Sequence, residues 1–201
     1  NDDCVDALPE PQHRRKAWRA AWKRARSRDL PRELRCFAWL LLHDALCCGG
    51  ARVAFAGPSS DDLPDAVCCS NAACRAAAAP PQGGGQAAAG PSAPPAPTPA
   101  QWPLETLQHA LLECPAVRPA LQWLAALWPR FGGDPAPPLA AEVWLLDAAA
   151  AWRPRAGGTA SEQRWAHLRL AVLEAAWRLR CRRHLAGWAF TAADVVDDVI
   201  D

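Results

Sequence analysis

Apolar residues recur along this chain at the spacing of an α-helix rather than of a strand. In the clearest case, five of them fall three or four positions apart, the spacing that places side chains on one helical face. These residues are Trp165, Leu168, Val172, Ala175 and Leu179. With Pro and Gly as breaks between elements, the same pattern predicts helices over 12–28, 32–47, 104–113, 116–128, 139–152 and 161–187. Strand signals are confined to 52–55 and 195–200, and neither alternates for long enough. The predicted fold class is all-α.

Four residues have the types and spacings of a metal site. Cys69 and Cys74 flank a turn, and His109 and Cys114 lie near the end of a predicted helix. Such a Cys-Cys-His-Cys set suits tetrahedral zinc, Zn²⁺. Because five residues advance an α-helix by about 500°, Cys114 must sit at or beyond the last turn to face the same ion as His109. Cys68 is the nearest substitute for Cys69. The alternative is that these are ordinary buried cysteines and a surface histidine.

Residues 76–100 interrupt the helical pattern. They contain no charge and seven prolines, a composition that neither builds a core nor sustains a helix. We interpret them as a long flexible Ala/Pro/Gly loop, which adds little closure entropy to the fold. A linker between two domains is the alternative, but it would leave Cys69 and Cys74 without nearby partners. The sequence predicts four parts. Basic and Trp-rich helices with the first zinc knuckle occupy 12–75, and the insertion occupies 76–100. The second zinc half with the C-terminal helices occupies 101–190, and an acidic tail occupies 191–201.

The zinc motif and its flanks resemble a known family. Residues 105–115 have the pattern Glu-Thr-x-x-His-x-Leu-Leu-x-Cys-Pro, preceded by Cys-x4-Cys. Upstream, Trp18 and Trp22 form a Trp-x3-Trp pair, and residues 30–43 have the pattern Leu-Pro-x-x-Leu-Arg-x-Phe-x-Trp-x-Leu-Leu-His. Downstream, residues 177–184 form a Trp- and Arg-rich segment. Together these pieces resemble the zinc-binding domain that follows the polymerase in LINE-type, non-LTR retrotransposon reverse transcriptases.

The resemblance spans roughly residues 15–188 and carries several implications. It implies a zinc domain that handles nucleic acid beside a polymerase, and a nuclear location. The chain departs from the family pattern in two places: its first knuckle is wider than the usual Cys-x2-Cys, and about thirty residues separate Cys74 from Glu105. Both departures concern the identity of the first ligand more than the presence of the site.

Composition and cysteine usage limit the class of protein. With 51% hydrophobic and 21% charged residues, the chain can build a core. Its nine cysteines are an odd number and include adjacent pairs, which indicates a reducing, intracellular compartment rather than a disulfide framework. We expect Cys36 and Cys181 in the core as small apolar residues. No stretch is long and apolar enough for a membrane span, and no secretory signal opens the chain. The absence of Met, even at position 1, indicates an internal fragment or a processed form.

Positive charge is concentrated in two segments although the net charge is only +1. Residues 14–35 carry ten basic residues against two acidic ones, and a second cluster lies within 178–183. Guanidinium groups can pair phosphates while neighbouring indoles stack exposed bases, so RNA or single-stranded DNA is the predicted ligand. The candidate contact residues are Arg15, Lys16, Trp18, Arg19, Trp22, Lys23, Arg26, Arg180 and Arg183. The alternative is a solvated basic face with its tryptophans packed inward and its charge neutralised by the acidic ends of the chain.

No catalysis is predicted for this chain in isolation. Its adjacent carboxylates, Asp61 with Asp62 and Asp197 with Asp198, lie in a turn and in the acidic tail, unlike the aspartates with which a polymerase holds magnesium. Three functions stay open. The first is the nucleic-acid-binding zinc domain of a retrotransposon reverse transcriptase. The second is a domesticated copy of that domain, which clamps RNA as a structural subunit of a large assembly such as an organellar ribosome. The third is a helical protein–protein adaptor. Other protein subunits are possible partners, whereas a membrane or a small-molecule substrate is not expected.

Overall fold

The computed structural model describes residues 19–43, 45–46, 69, 74, 105–132, 134–145, 152–154 and 158–200. These residues are mainly helical and contain no strand, so the predicted all-α class is confirmed. The predicted strand candidate at 52–55 and the predicted flexible insertion at 76–100 lie outside the described residues. None of the described helices is both long and apolar enough to cross a membrane.

Seven helical elements are described. They are α1 over 19–25, α2 over Arg32–Leu42, a π-helical turn over His109–Glu113, α3 over Arg118–Gly132, α4 over Ala141–Trp144, α5 over Gly158–Ala186 and α6 over Ala192–Ile200. Residues 26–31 separate α1 from α2, at the break predicted from Leu30 and Pro31. α3 continues through Pro129 to Gly132, beyond its predicted end.

The longest helix, α5, lies at the centre of the fold. It contacts α2, α3, α6 and the π-helical turn, because its apolar stripe supplies fully buried residues such as Val172 and Leu173. Ser161, the predicted N-cap, is instead buried in the first turns, since α5 begins at Gly158. α5 therefore connects the N-terminal helices with the part of the chain that carries His109 and Cys114.

Four tryptophans form a cluster around Trp165 of α5. The other three are Trp128, Trp144 and Trp152. The Trp165 ring lies 5.3 Å from that of Trp128, 5.1 Å from that of Trp144 and 4.9 Å from that of Trp152, all edge to face. Edge-to-face pairs add about 0.5–1.5 kcal/mol each beyond the area they bury. The cluster therefore fixes α3 and α4 against α5.

The acidic C-terminal tail proves to be a packed helix. α6 contacts both α3 and α5, and Val195 is fully buried. Thr191 and Asp194 form a capping box at its start: Thr191 donates from its backbone N–H and its hydroxyl to Asp194 Oδ2, at 2.6 and 2.7 Å. Its charge predicts a tail, but Asp194 and Asp197 are exposed while Val195 is buried, as in an amphipathic helix.

The prediction that Cys36 and Cys181 belong to the core is wrong. Cys36 is exposed and Cys181 is partly exposed. On α2 the buried residues are Phe37, Ala38 and Leu41, and Cys36 falls on the other side of that helix. A helical pattern therefore located the element but not the side of it that each cysteine occupies.

Candidate metal centre

Cys69, Cys74, His109 and Cys114 lie together at one point of the structure. Their four ligand atoms all lie within 4.8 Å of one another. The Cys74 sulfur is 3.5 Å from His109 Nε2 and 3.8 Å from the Cys114 sulfur. All three cysteines are 5% exposed, and His109 is half-buried. The structure thus brings together the four residues predicted as ligands, in a group that can hold a metal ion.

Cys69, the first ligand predicted from the sequence, belongs to this group. Cys68, its nearest substitute in the sequence, lies outside the described residues, as do Cys47 and Cys48. With Cys69, the two halves of the site come from opposite sides of the 76–100 segment. The centre therefore closes a connection of more than thirty residues between Cys74 and His109.

A π-helical turn solves the spacing problem between His109 and Cys114. The Cys114 backbone N–H donates to the His109 carbonyl oxygen at 2.8 Å, across five residues rather than four. A hydrogen bond that spans five residues makes the turn wider than that of an α-helix, so residues five positions apart lie nearly one above the other. Cys114 then follows directly after the turn, with extended backbone angles. The two side chains therefore face the same point, which a regular α-helix with this spacing does not allow.

The Glu-Thr dipeptide before His109 holds this turn in place. Thr106 Oγ1 accepts a hydrogen bond from the His109 backbone N–H at 3.0 Å, which is the bond of a helix N-cap. Glu105 is 2% exposed and pairs with Arg180 of α5, whose Nε donates to Oε1 at 2.9 Å and whose terminal nitrogen NH2 donates to Oε2. Three residues of the motif therefore have different roles: Glu105 anchors the turn to α5, Thr106 caps it, and His109 is a candidate metal ligand.

The environment of Cys74 and Cys114 opposes their ionisation. Burial, followed by the hydrogen bond from Cys69, raises the pKa of Cys74 to about 11. The hydrogen bond to Cys69, followed by burial, raises the pKa of Cys114. His109 also has a raised pKa, chiefly from its hydrogen bond with Cys69, against the opposing effect of burial. Neighbouring sulfurs cannot all become thiolates here unless a cation compensates them, and a coordinated metal ion does this.

The nucleic-acid contacts predicted for the N-terminal segment divide into three groups. Arg19, Lys23 and Arg26 are exposed on or just after α1. Trp22 is half-buried and places its ring edge to face with His43, 4.8 Å away, so it is only partly available for stacking. The remaining N-terminal candidates, Arg15, Lys16 and Trp18, lie outside the described residues.

On α5, the prediction for Arg180 is wrong. This guanidinium is buried, paired with Glu105 and placed 4.7 Å over the Trp177 ring, so it serves the fold rather than an external phosphate. Arg183 is half-buried, and its charge lowers the pKa of Cys74 slightly against the larger opposing causes. Arg178 pairs with Asp198 of α6. The acidic end of the chain therefore neutralises part of this second basic cluster.

Two features of the site escaped sequence reasoning. The Glu105–Arg180 pair joins residues 75 positions apart. The sequence motif indicated that Glu105 has a role, but nothing in it pointed to Arg180 as its partner. Trp39 is 48% exposed and lies 4.2 Å from the His43 ring, although it stands within an apolar run.

Comparisons of this chain with protein-family models, with curated proteins and with solved structures find no match.

Proposed function

We propose that the four-residue centre binds one zinc ion. Zinc bonds of about 2.3 Å to sulfur and about 2.0–2.1 Å to imidazole, at tetrahedral angles, separate two sulfurs by about 3.8 Å and a sulfur from a nitrogen by about 3.6 Å. The corresponding separations here are 3.8 Å for Cys74–Cys114 and 3.5 Å for Cys74–His109. This agreement is the observation on which the proposal rests.

The proposed centre is structural rather than catalytic. Three cysteines and one histidine fill a tetrahedral coordination sphere and leave no position for a reactive water. Structural zinc sites of this kind contribute on the order of 10 kcal/mol of apparent binding free energy. Zinc would therefore stabilise the junction between Cys69, Cys74 and the π-helical turn that packs on α3 and α5.

The second part of the proposal is that the zinc domain binds RNA or single-stranded DNA. Residues 19–35 carry seven basic residues and two acidic ones. Arg19, Lys23 and Arg26 make no ion pair within the described part of the chain, so their charge remains available to phosphates. Together with the motif resemblance, this surface supports a non-catalytic domain like that of non-LTR retrotransposon reverse transcriptases, or a captured copy of one.

Metal content and binding measured on the same preparation test both parts. We expect one zinc per chain by elemental analysis, retained on dialysis and removed by a strong chelator. We expect fluorescence anisotropy to show binding of a mixed-sequence single-stranded RNA, with an affinity that falls steeply with salt. A chain that holds no zinc, or that shows no saturable RNA or DNA binding at low salt, contradicts the corresponding part.

Charge reversal locates the nucleic-acid surface. Replacing both Arg19 and Arg26 by Glu should lower the slope of log affinity against log salt by about 1.4 or more, since each phosphate contact to a single strand contributes about 0.7. The matched control reverses Arg118 and Arg130, which are exposed on α3, with the same change in net charge. Equal losses in the two variants would indicate a nonspecific charge effect and contradict the assignment to α1.

A helical protein adaptor is the second candidate. Phe131, Trp188 and Ile200 are 57%, 67% and 69% exposed, and such side chains mark a protein-binding site when they form one contiguous apolar patch. Zinc would have the same structural role in such a protein. Zinc without nucleic-acid binding is the result that would favour it.

A further inference from the structure

Trp22, Trp39 and His43 form a surface aromatic group, which we call the aromatic platform. The His43 ring lies 4.2 Å from the Trp39 ring and 4.8 Å from the Trp22 ring. Trp39 is 48% exposed and His43 is exposed. The platform therefore joins α1 to the end of α2 through ring contacts while leaving an indole accessible to solvent.

Core packing does not account for the position of Trp39. α2 buries Phe37, Ala38 and Leu41 on one side, and Trp39 lies on the other. Trp128 and Trp144, by contrast, are core residues with 1% and 0% exposure. An indole turned to solvent gives up much of the free energy that its burial would provide, so its presence indicates a surface role.

Basic residues flank the platform on both helices. Arg19 and Trp22 lie three positions apart on α1, and Arg26 follows four positions later, directly after the helix. Arg35 and Trp39 lie four positions apart on α2, and His43 caps its end after another four. The backbone N–H groups of Arg26 and His43 still donate to the Trp22 and Trp39 carbonyl oxygens, as in a helix. Residues at these spacings share a helical face. None of Arg19, Arg26 and Arg35 makes an ion pair within the residues that the structure describes. The spacing therefore places basic residues on the helical faces that carry Trp22 and Trp39.

We propose that the aromatic platform binds unpaired bases of a single-stranded nucleic acid, with Trp39 as the stacking residue. A polyanionic strand satisfies the charge of the flanking guanidiniums, and each unpaired base offers a flat apolar face to the indole. In a duplex those faces are covered by neighbouring bases. The proposal rests on the nucleic-acid function above and deepens it, because it makes the ligand single-stranded and requires bases as well as phosphates.

A double-mutant cycle between protein and ligand tests this proposal. The probes are a fluorescein-labelled mixed-sequence single-stranded RNA and the same strand with abasic residues, so that the phosphate count is unchanged. The proteins are the full chain and its Trp39→Ala, Trp39→Phe and Trp188→Ala variants. Trp188 is 67% exposed outside the platform and provides the matched loss of a surface indole.

Trp39→Ala should weaken binding of the normal strand about 5- to 150-fold, which corresponds to about 1–3 kcal/mol for one stacked base. It should leave the affinity for the abasic strand and the salt slope nearly unchanged, because the phosphate contacts persist. Trp39→Phe should recover part of the loss, and Trp188→Ala should bind like the full chain. Unchanged near-ultraviolet circular dichroism checks that each variant is folded.

Three results would overturn the proposal. If the full chain binds RNA but Trp39→Ala binds equally well, the platform is not a stacking site, while the nucleic-acid function stands. If Trp39→Ala weakens both strands equally, the effect comes through the fold rather than through bases. If the full chain binds neither strand, the nucleic-acid function fails together with this proposal, and an exposed Trp39 is then better explained by a protein partner.

Discussion

Replacing Arg180 by Met tests how firmly α5 is joined to the metal centre. The side chains of Arg180 and Glu105 are only 6% and 2% exposed, and two guanidinium nitrogens donate to the two carboxylate oxygens. Removing Arg180 leaves the Glu105 carboxylate buried without this counter-ion, which costs about 3–5 kcal/mol. In a protein of about 200 residues each kcal/mol lowers the melting temperature by about 2–4 °C. We therefore expect the melting temperature to fall by about 6–20 °C.

Urea unfolding measures this loss directly. Near-ultraviolet circular dichroism follows the tryptophan cluster, and Arg180→Met, Glu105→Met and the double variant complete a cycle with the original chain. The double variant should regain much of the stability lost by either single one, because no buried charge then lacks its opposite. The control is the exposed pair Arg153–Glu162, at 3.5 Å with 42% and 34% exposure, where Arg153→Met should cost less than about 1 kcal/mol.

Two results would refute the reasoning. One is a cost below about 1 kcal/mol for Arg180→Met, which would make the pair equivalent to a surface ion pair. The other is additivity in the cycle, which would show that the two side chains act independently. Zinc content should be recorded for every variant, because Glu105 lies next to Thr106, which caps the turn that carries His109.

Two further predictions concern the metal ligands and the cap of α6. Cys114→Ser should lower the zinc content from one per chain towards zero and destabilise the fold, whereas the same change at the exposed Cys36 should alter neither; equal zinc content in both variants would contradict the site. Thr191→Ala should lower the melting temperature by about 2–4 °C, as loss of one N-cap does. Because the hydrogen bonds from Thr191 lower the pKa of Asp194, this contribution is complete above the unfolded-state value near 3.9 and disappears as the pH falls through the lowered pKa. The melting temperatures of the two proteins should therefore differ above that unfolded-state value and approach each other below the lowered pKa of Asp194, and a difference that does not change with pH would contradict the capping argument.

The sequence by itself determined the fold class and the four members of the candidate metal centre. Helices are local: they follow from side chains three and four positions apart, such as Trp165, Leu168 and Val172. The metal set could be predicted because few residue types bind zinc and because Cys69, Cys74, His109 and Cys114 have plausible spacings. The charge pattern also indicated α1 as a basic surface, and its described part does present Arg19, Lys23 and Arg26 to solvent.

Only the tertiary structure decided which side each residue faces. Arg180 and Arg183 are equivalent in sequence terms, yet Arg180 is buried because Glu105, 75 positions away, meets it there. Residues 192–200 become a packed helix because α3 and α5 cover Val195, and Trp39 is exposed because α2 packs through its other side. The π-helical turn likewise appears where the chain places His109 and Cys114 in one site. Each of these outcomes depends on contacts between distant segments, which local spacing does not contain.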